Sequence, residues 1–443
     1  MNGDVREVSA LGRELALFRN LNGVVGLLDA YCPHVGTHLG VGGVVDGESL
    51  RCPFHRWAFA PDGTCTDIPY AKKIPPAARA GSYIVRERNG AILAWFHPDG
   101  SAPTWEAPEF EQGSFTPPYW VDLFYDVHIQ ELAENGVDIA HFPPVHGCGR
   151  ASVELHGRKG IPFHFDLYTS YEGDGIGVPG CFVDVTSNWS YYGLGLFHSV
   201  STADEFKTRV RQIYHFTPIP DDRVHLRVAC SIDTDTVRSD LIDFVLRRNT
   251  EMIKANLDQD APIWARKVYR EKPVLSVSDG PLALLRRWSK QFYPTKTRHE
   301  MVAPERAKYE LEIFPEVADV QAKRRAELTA TPLDVTQDAI RQIFIEKIPN
   351  DFREGTAPRA FVVQYEVTGP ASTTWYLEVD SARCTPVEGK HSAPEVTLKI
   401  DSADWLAMHT GRLTGAEAFM SGKLQIIGDF DLAVKLGEVF PLG

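Results

Sequence analysis

The sequence contains no run of about 18 apolar residues, the length needed to cross a membrane as a helix, so no such span is expected. Positive charge is scarce: 46 Lys and Arg stand against 59 Asp and Glu, a net charge of −13. That argues against a nucleic-acid partner, because phosphate binding needs clustered cations. An acidic surface could suit a basic protein, but it also simply keeps an enzyme soluble. No disulfide framework is visible. The seven cysteines, at 32, 52, 65, 148, 181, 230 and 384, are odd in number and widely scattered, which fits a reducing compartment. The opening "MNGDVREVSALGRELALF" lacks a basic head followed by an apolar run, so no signal peptide is expected, and the expected location is cytoplasmic. Internal repeats and low-complexity tracts are also missing.

With 443 residues the chain is too long for one core, and two or three domains are expected. Short strand-like runs such as "ELALFRN", "VVGLLDA" and "GAILAWFH", punctuated by Gly, Asp and Asn, predict an all-β domain over 1–100. Residues 101–118, "SAPTWEAPEFEQGSFTPP", carry four prolines and read as a linker or covering loop. Alternating strands within 191–232 predict an antiparallel sheet. "SDLIDFVLRRNTEMIKANLDQDAPIWARKVY" predicts a long helix, kinked or restarted near Pro262. These belong to a block spanning 119–300. A charged helical linker follows over 301–333, and a third block of strands and helices over 334–443.

Two Cys-His pairs stand out in "CPHVGTHLGVGGVVDGESLRCPFH": Cys32 with His34, and Cys52 with His55. Two thiolates can hold one iron while two imidazoles hold its neighbour, the ligand set of a Rieske 2Fe–2S centre. Zinc also accepts two Cys and two His, although the order here differs from that of a zinc finger, where like residues pair. "CPHVGTHLG" and "CPFHRWAFAPDGTC" resemble the two cluster-binding loops of Rieske oxygenases. The resemblance implies that Cys32 and Cys52 bind one iron, and His34 and His55 the other. His38 matches no ligand position and reads as structural. The family's leading strand, with its Trp-Tyr pair, is not found ahead of Asp4. The resemblance therefore implies a misassigned or shortened start, with an exposed sheet edge.

Farther on, "ENGVDIAHFPPVHG" packs Asp138, His141 and His146 together. Asp138 and His141 are neighbours if helical. Pro143 and Pro144 are expected to end the helix near Phe142, so that the turned chain brings His146 back towards His141. Two imidazoles need a carboxylate to complete a facial triad for non-haem Fe(II). Alone, His-x4-His is weak evidence and usually structural. The run is similar to the Asp-x2-His-x4-His motif of Rieske oxygenase catalytic domains. The resemblance implies that His141 and His146 bind a mononuclear iron, and that Asp138 bridges to a cluster histidine of a neighbouring subunit. Asn135 is placed near this site with Asp138 among the candidate catalytic residues, and Glu134 reads as a helix-start charge. "QDAPIW" and "DGPLALLRRWSKQFY" look like the steroid-oxidising branch, which implies Asp260 as the third ligand, with Asp258 as the fallback.

In the third block, "AIRQIFIEKIPNDF", "FVVQYEVTG", "TTWYLEVD" and "AEAFMSGKLQIIGDFDLAVKL" resemble a sterol carrier protein domain. "DWLAMHTG" and "DLAVKLGEVF" are amphipathic. They could close a core or wall an apolar pocket.

The expected fold is therefore α+β and multidomain: an all-β Rieske domain, a helix-grip-like antiparallel-sheet catalytic domain and an α/β sterol-carrier-like domain. The resemblance implies the terminal oxygenase component of a Rieske non-haem iron enzyme. It would carry one 2Fe–2S cluster and one mononuclear Fe(II), use O2 as cosubstrate, and hydroxylate or desaturate a sterol or steroid. No Gly-rich nucleotide fingerprint follows a strand, so electrons are expected from a separate reductase, with or without a ferredoxin. The family's usual assembly implies a homotrimer. The alternatives are a Rieske oxygenase for a non-steroid hydrophobe, and a lipid-binding redox module without oxygenation.

Overall fold

A computed structural model describes residues 1–97, 99–156, 160–172, 182–203, 208–276, 278–293, 308–310, 333–413 and 415–440. The first part is built from ten short strands. These are β1 Val5–Ala10, β2 Arg13–Arg19, β3 Val25–Asp29, β4 Val44–Asp46, β5 Ser49–Arg51, β6 Ala58–Phe59, β7 Cys65–Asp67, β8 Ser82–Tyr83, β9 Val85–Arg88 and β10 Ala91–Ala94. Two four-stranded sheets, ordered β1-β2-β3-β8 and β4-β5-β6-β7, accompany a β9–β10 hairpin. Phe18, Leu28, Leu39, Leu50 and Phe59 form the buried centre. β1 is an edge strand. Just beyond it, the Leu11 amide donates to the Pro218 carbonyl at 2.7 Å, which ties this edge to the next sheet.

That sheet has eight antiparallel strands: β11 Tyr119–Tyr125, β12 Cys148–Leu155, β13 Phe163–Glu172, β14 Phe182–Tyr191, β15 Leu196–Ala203, β16 Thr208–Ile219, β17 Arg223–Ile232 and β18 Lys308–Glu310. Their order is β11-β17-β16-β15-β14-β13-β12-β18. Four helices accompany it: α1 Ile129–Asn135, α2 Phe142–His146, α3 Ile242–Trp264 and α4 Leu282–Ser289. α3 runs through Pro262 and ends two residues later; of the two expected outcomes, kink or restart, there is no restart. A proline in the last turn removes only a terminal hydrogen bond. Of the expected linker 301–333, only Lys308–Glu310 and Leu333 are described; the former join the sheet as β18, and the rest lies outside the described residues.

The strands do not simply alternate buried and exposed. β16 is buried along most of its length, because both faces are covered. Val210, Tyr214 and Phe216 face the main core. Ile213 joins Leu196 and Ala229 in a second cluster beneath Phe110 and Trp120. Residues 101–118 form this cover. Arg86 holds Glu106 at 2.9 and 2.8 Å, and Arg211 Nη1 donates to the Glu111 carbonyl at 2.7 Å. Ser114 Oγ donates to Asp233 Oδ1 at 2.6 Å. Burial opposes the Asp233 charge, but hydrogen bonds from Ser114 and the Asp235 amide, with Arg209, pull its pKa below the ordinary value. A depressed folded-state pKa stabilises fully above the unfolded value and is lost as pH falls through the folded value. The stability difference between the unmodified chain and Asp233→Asn, measured by urea unfolding, is therefore expected to shrink from about pH 6 to about pH 3. A difference that stays constant would sink this anchoring role.

The C-terminal part carries β19 Phe361–Thr368, β20 Thr373–Val379, β21 Cys384–Glu388, β22 Val396–Asp401 and β23 Leu424–Gly428, ordered β21-β20-β19-β22-β23. Only β19 and β22 pair in parallel. Helices Ser402–His409 and Phe430–Val439 pack against it. Phe344, stacked between Trp375 and Trp405, sits at the core.

Candidate iron–sulfur and mononuclear metal sites

The two Cys-His loops share one backbone device. The Gly36 amide donates to the Cys32 carbonyl at 2.9 Å, and the Arg56 amide to the Cys52 carbonyl at 3.2 Å. Both fourth residues take positive φ, +80° at Gly36 and +64° at Arg56. Gly36 suits this at no steric cost, whereas Arg56 is strained there. The turns place Cys32 and Cys52 inside, 3% and 2% exposed, and bring the His34 and His55 rings to 4.6 Å. His34 also stacks on Trp57. His34 Nδ1 and His55 Nδ1 are buried with no hydrogen-bond partner among the described residues. Burial pushes the Cys32 thiol up to about 11, against a hydrogen bond from the His34 backbone. Two buried sulfurs and two orphaned imidazole nitrogens suit a bound cluster, which would satisfy all four. His38 accepts the Gly40 amide at 3.1 Å and edges onto Tyr31, a structural placement.

The second constellation is assembled by a broken helix. α1 ends at Gly136, where a Cβ would lie 2.1 Å from Tyr191 Oη, so only glycine permits this approach. Asp138 then precedes a 3-10 turn, Ile139–His141, without a capping hydrogen bond from its side chain. Pro143 and Pro144 do not end a helix, as expected, but open α2 in its first turn. Their missing N–H groups are unneeded there. Gly147, in the left-handed conformation, closes α2 directly after His146.

His141 and His146 meet with their Nε2 atoms 3.2 Å apart. Asp260, on the last turns of α3, lies 3.4 Å from His146 Nε2 and 3.9 Å from His141 Nε2. Each Nδ1 faces an oxygen acceptor: His141 the Asp138 carbonyl, and His146 the Gln259 Oε1 at 2.8 Å. With each Nδ1 donating to its oxygen, both Nε2 lone pairs converge on the Asp260 carboxylate. Three converging acceptors, with side chains 14%, 3% and 4% exposed, repel one another and suit a shared cation. Burial lowers the His141 pKa despite the nearby carboxylates. At His146 burial opposes the charge, but Asp260 and Gln259 outweigh it and raise the pKa.

Asn135 Nδ2 donates to Asp260 Oδ2 at 2.9 Å. Asp258 stands apart, accepting from the Tyr125 hydroxyl at 3.0 Å and pairing with Lys254. Burial raises the Asp138 pKa, against the charges of His141 and Lys267. Glu134 is not a helix-start charge. It lies in the last turn of α1, 2% exposed, and receives Arg286 at 2.9 and 2.7 Å.

Sequence reasoning missed Gln259, although its place beside Asp260 in "DQDAP" was the available signal. It also missed a trio at β12 and β13, His156, His164 and Asp166. That trio is occupied by ordinary pairing: His156 Nε2 is 2.9 Å from Asp166, and His164 Nδ1 is 2.7 Å from the Trp189 carbonyl. Gln259→Leu is expected to weaken mononuclear metal binding about 10- to 100-fold, since it frees the His146 tautomer. Metal titration of the purified chain would measure this, and unchanged affinity would remove Gln259 from the site.

The Asp260 side opens on a cavity of about 710 Å3, within the roughly 300–1,000 Å3 range of small-molecule sites. Leu132, Phe142, Tyr171, Trp189 and Tyr214 are among its mainly apolar walls. A three-sided candidate metal site leading into an apolar chamber, with a small β domain carrying two buried Cys-His loops ahead of it, matches the architecture of a Rieske oxygenase.

Three family descriptions match the chain in turn. Residues 1–78 match the Rieske [2Fe-2S] domain, residues 94–293 the 3-ketosteroid 9alpha-hydroxylase C-terminal domain, and residues 349–441 the SCP-2 sterol transfer family. The cholesterol 7-desaturase of Xenopus laevis is 34% identical over 319 residues, 66% of this chain and 68% of that protein. A counterpart in Ciona intestinalis is also 34% identical, over 66% of this chain and 65% of its own length. The oxygenase component of a 3-ketosteroid-9-alpha-monooxygenase from Rhodococcus rhodochrous is 30% identical, over 66% and 79%. The chain belongs to the Rieske non-haem iron oxygenase family that includes these proteins. Members carry a Rieske 2Fe–2S cluster and a mononuclear iron, and use O2. A crystal structure of dicamba monooxygenase bound to 3,6-dichlorosalicylic acid shares the fold at 20% identity, with a TM-score of 0.51 over 66% of this chain and 92% of that one. Among the described residues no helix is long and apolar enough to cross a membrane.

Proposed function

We propose that the chain is a terminal oxygenase component that oxidises a C–H bond of a sterol or 3-ketosteroid, by hydroxylation or desaturation. The observation that carries this reading is the His141, His146 and Asp260 constellation at the edge of an apolar cavity of about 710 Å3. When bound, the cluster and the mononuclear iron supply stored electrons and oxygen activation, which amino-acid side chains cannot provide. The chain's own residues do the rest. The Asp138 carbonyl and Gln259 set the two imidazole tautomers. Asn135 occupies Asp260 Oδ2 and so orients that carboxylate. The aromatic walls exclude water and hold a rigid apolar substrate. Electrons come from a separate reductase, since the relatives named as oxygenase components imply one.

Product mass tests the reading. The purified chain, a surrogate reductase, oxygen and a panel of sterols and 3-ketosteroids should give a product one oxygen heavier or two hydrogens lighter. No change with any steroid, in a preparation shown to hold both iron sites, would overturn the steroid assignment in favour of another hydrophobe.

We further propose a homotrimer in the cytoplasm, in which Asp138 meets a cluster histidine of a neighbouring copy. Support comes from the apolar surface around the cluster loops, where Val35 is 59% and Phe54 65% exposed beside His34 and His55. The described cysteines are free thiols, which suits a reducing compartment. Asp138→Ala is expected to leave the cluster reducible but cut turnover about 100-fold or more, the loss of an oriented link between sites. Stopped-flow cluster oxidation measured alongside product formation checks it. Turnover equal to the unmodified chain would remove the bridging role.

A further inference from the structure

The cavity that reaches Asp260 does not end in the catalytic domain. Asn135, His146 and Asp260 line it together with Trp405, His409 and Leu436 of the C-terminal domain. A carrier domain acting as a separate store would close its pocket on its own core. Here Leu436 and Phe440 belong to the C-terminal core and yet face the same space as the candidate iron ligands. The junction is built by apolar contact. Phe244 of α3 meets Phe430 edge-on at 4.6 Å, and Phe419 packs against both cores. Arg238 Nη1 reaches the Phe419 carbonyl at 3.4 Å. The Arg247–Asp431 pair at 3.9 Å is exposed on both sides and adds little.

Two residues that line the C-terminal half of the cavity carry buried, unpaired polar atoms. His409 is 9% exposed, and among the described residues neither of its ring nitrogens has a partner; Trp405 Nε1 is likewise unpaired. The two rings meet edge-on at 4.1 Å. Burial, with the charge of Lys347, lowers the His409 pKa to about 3, so a neutral imidazole offers one donor and one acceptor at neutral pH. Leaving such groups without a partner is costly. A ligand with a large apolar body and a single oxygen would pair with one of these groups while filling the walls.

We propose that the C-terminal domain is the outer half of the substrate site, in which a sterol is loaded with its 3-oxygen on His409 and from which it passes to Asp260 through the shared cavity. This rests on the steroid reading above and extends it to the route of entry. Passage through a shared apolar space keeps the sterol's surface out of water, which is favourable in proportion to the apolar area kept buried. A free carrier would have to expose that surface between two proteins.

Photolabelling of the full chain by a diazirine-bearing cholesterol, followed by peptide mass spectrometry, tests the route without requiring turnover. Competable labels are expected on both α3 and Phe430–Val439. Labels confined to one domain would overturn the shared site. Ala433→Trp, which narrows the cavity from the C-terminal wall, is expected to reduce labelling of α3 at least fivefold while labelling of Ser402–His409 persists. Equal labelling of α3 counts against passage through this junction. For His409→Phe, binding of cholesterol should weaken about 3- to 10-fold, the loss of one hydrogen bond, while binding of a 3-deoxy analogue is unchanged. An equal effect on both removes His409 as the oxygen's partner. Labelling of both domains without any steroid product would uphold the shared cavity and defeat the proposed reaction. Steroid turnover with labels in the catalytic domain alone would do the reverse.

Discussion

A His141→Ala chain is expected to keep its cluster absorbance, lose its mononuclear iron and fall about 1,000-fold or more in product formation. Removing one of three converging ligands leaves His146 and Asp260, too few to hold a cation firmly, and metal-dependent activation of oxygen accounts for several kcal/mol of barrier. The cluster should survive because Cys32, His34, Cys52 and His55 lie in a separate domain with its own buried centre. Iron quantitation, the visible spectrum and product yield measured on one preparation check all three parts. A lipid-binding redox module would be indifferent to the change. An unchanged iron content with full turnover would refute the ligand role of His141 and favour that module.

The second large effect lies away from the metal. Arg286→Ala is expected to destabilise the catalytic domain by about 3–5 kcal/mol, because it strands a buried carboxylate. Glu134 is 2% exposed and would retain only Gln130, at 2.8 Å. The Arg286 guanidinium is itself partly buried; burial disfavours its charge, and Glu134 more than restores it. For a domain of this size the loss corresponds to a fall in melting temperature of roughly 6–20 °C. Scanning calorimetry measures it. The pair ties α4 to the end of α1, one residue before Asn135, so iron retention should fall with stability. Replacing both partners, as Glu134→Leu with Arg286→Met, is expected to recover most of the loss, since an apolar pair leaves no unpaired charge. A melting temperature unchanged by Arg286→Ala would show that Glu134 is paired otherwise.

Much of both candidate metal sites was legible in the chain, because the residues proposed as ligands sit mostly in short loops. Cys32 with His34 and Cys52 with His55 each lie within four residues, so local turns alone bring each pair together. His141 and His146 are similarly close, but the device that joins them differs from the one the prolines suggest. The prolines open α2 rather than end a helix, and the approach of the imidazoles depends on the 3-10 turn before them. Asp260 lies more than a hundred residues away, and periodicity on α3 could not choose it over Asp258. Burial separates the two: Asp260 points inward at 3% exposure, and Asp258 pairs with Lys254 at the surface. Glu134 was misread for a related reason. Its helix was visible, but the arginine that neutralises it comes from a different helix 152 residues on.

By itself the sequence determined the three blocks, the Cys-His loops and the His-Pro-Pro-His segment, since hydrophobic period, turn residues and ligand spacing are local properties. Tertiary structure decided which carboxylate meets the two histidines, which charges are buried, and why β16 is covered on both faces. It also decided that one cavity runs from Asp260 to His409. Those outcomes depend on residues far apart in the chain meeting across packed elements, and no local pattern encodes which of them meet.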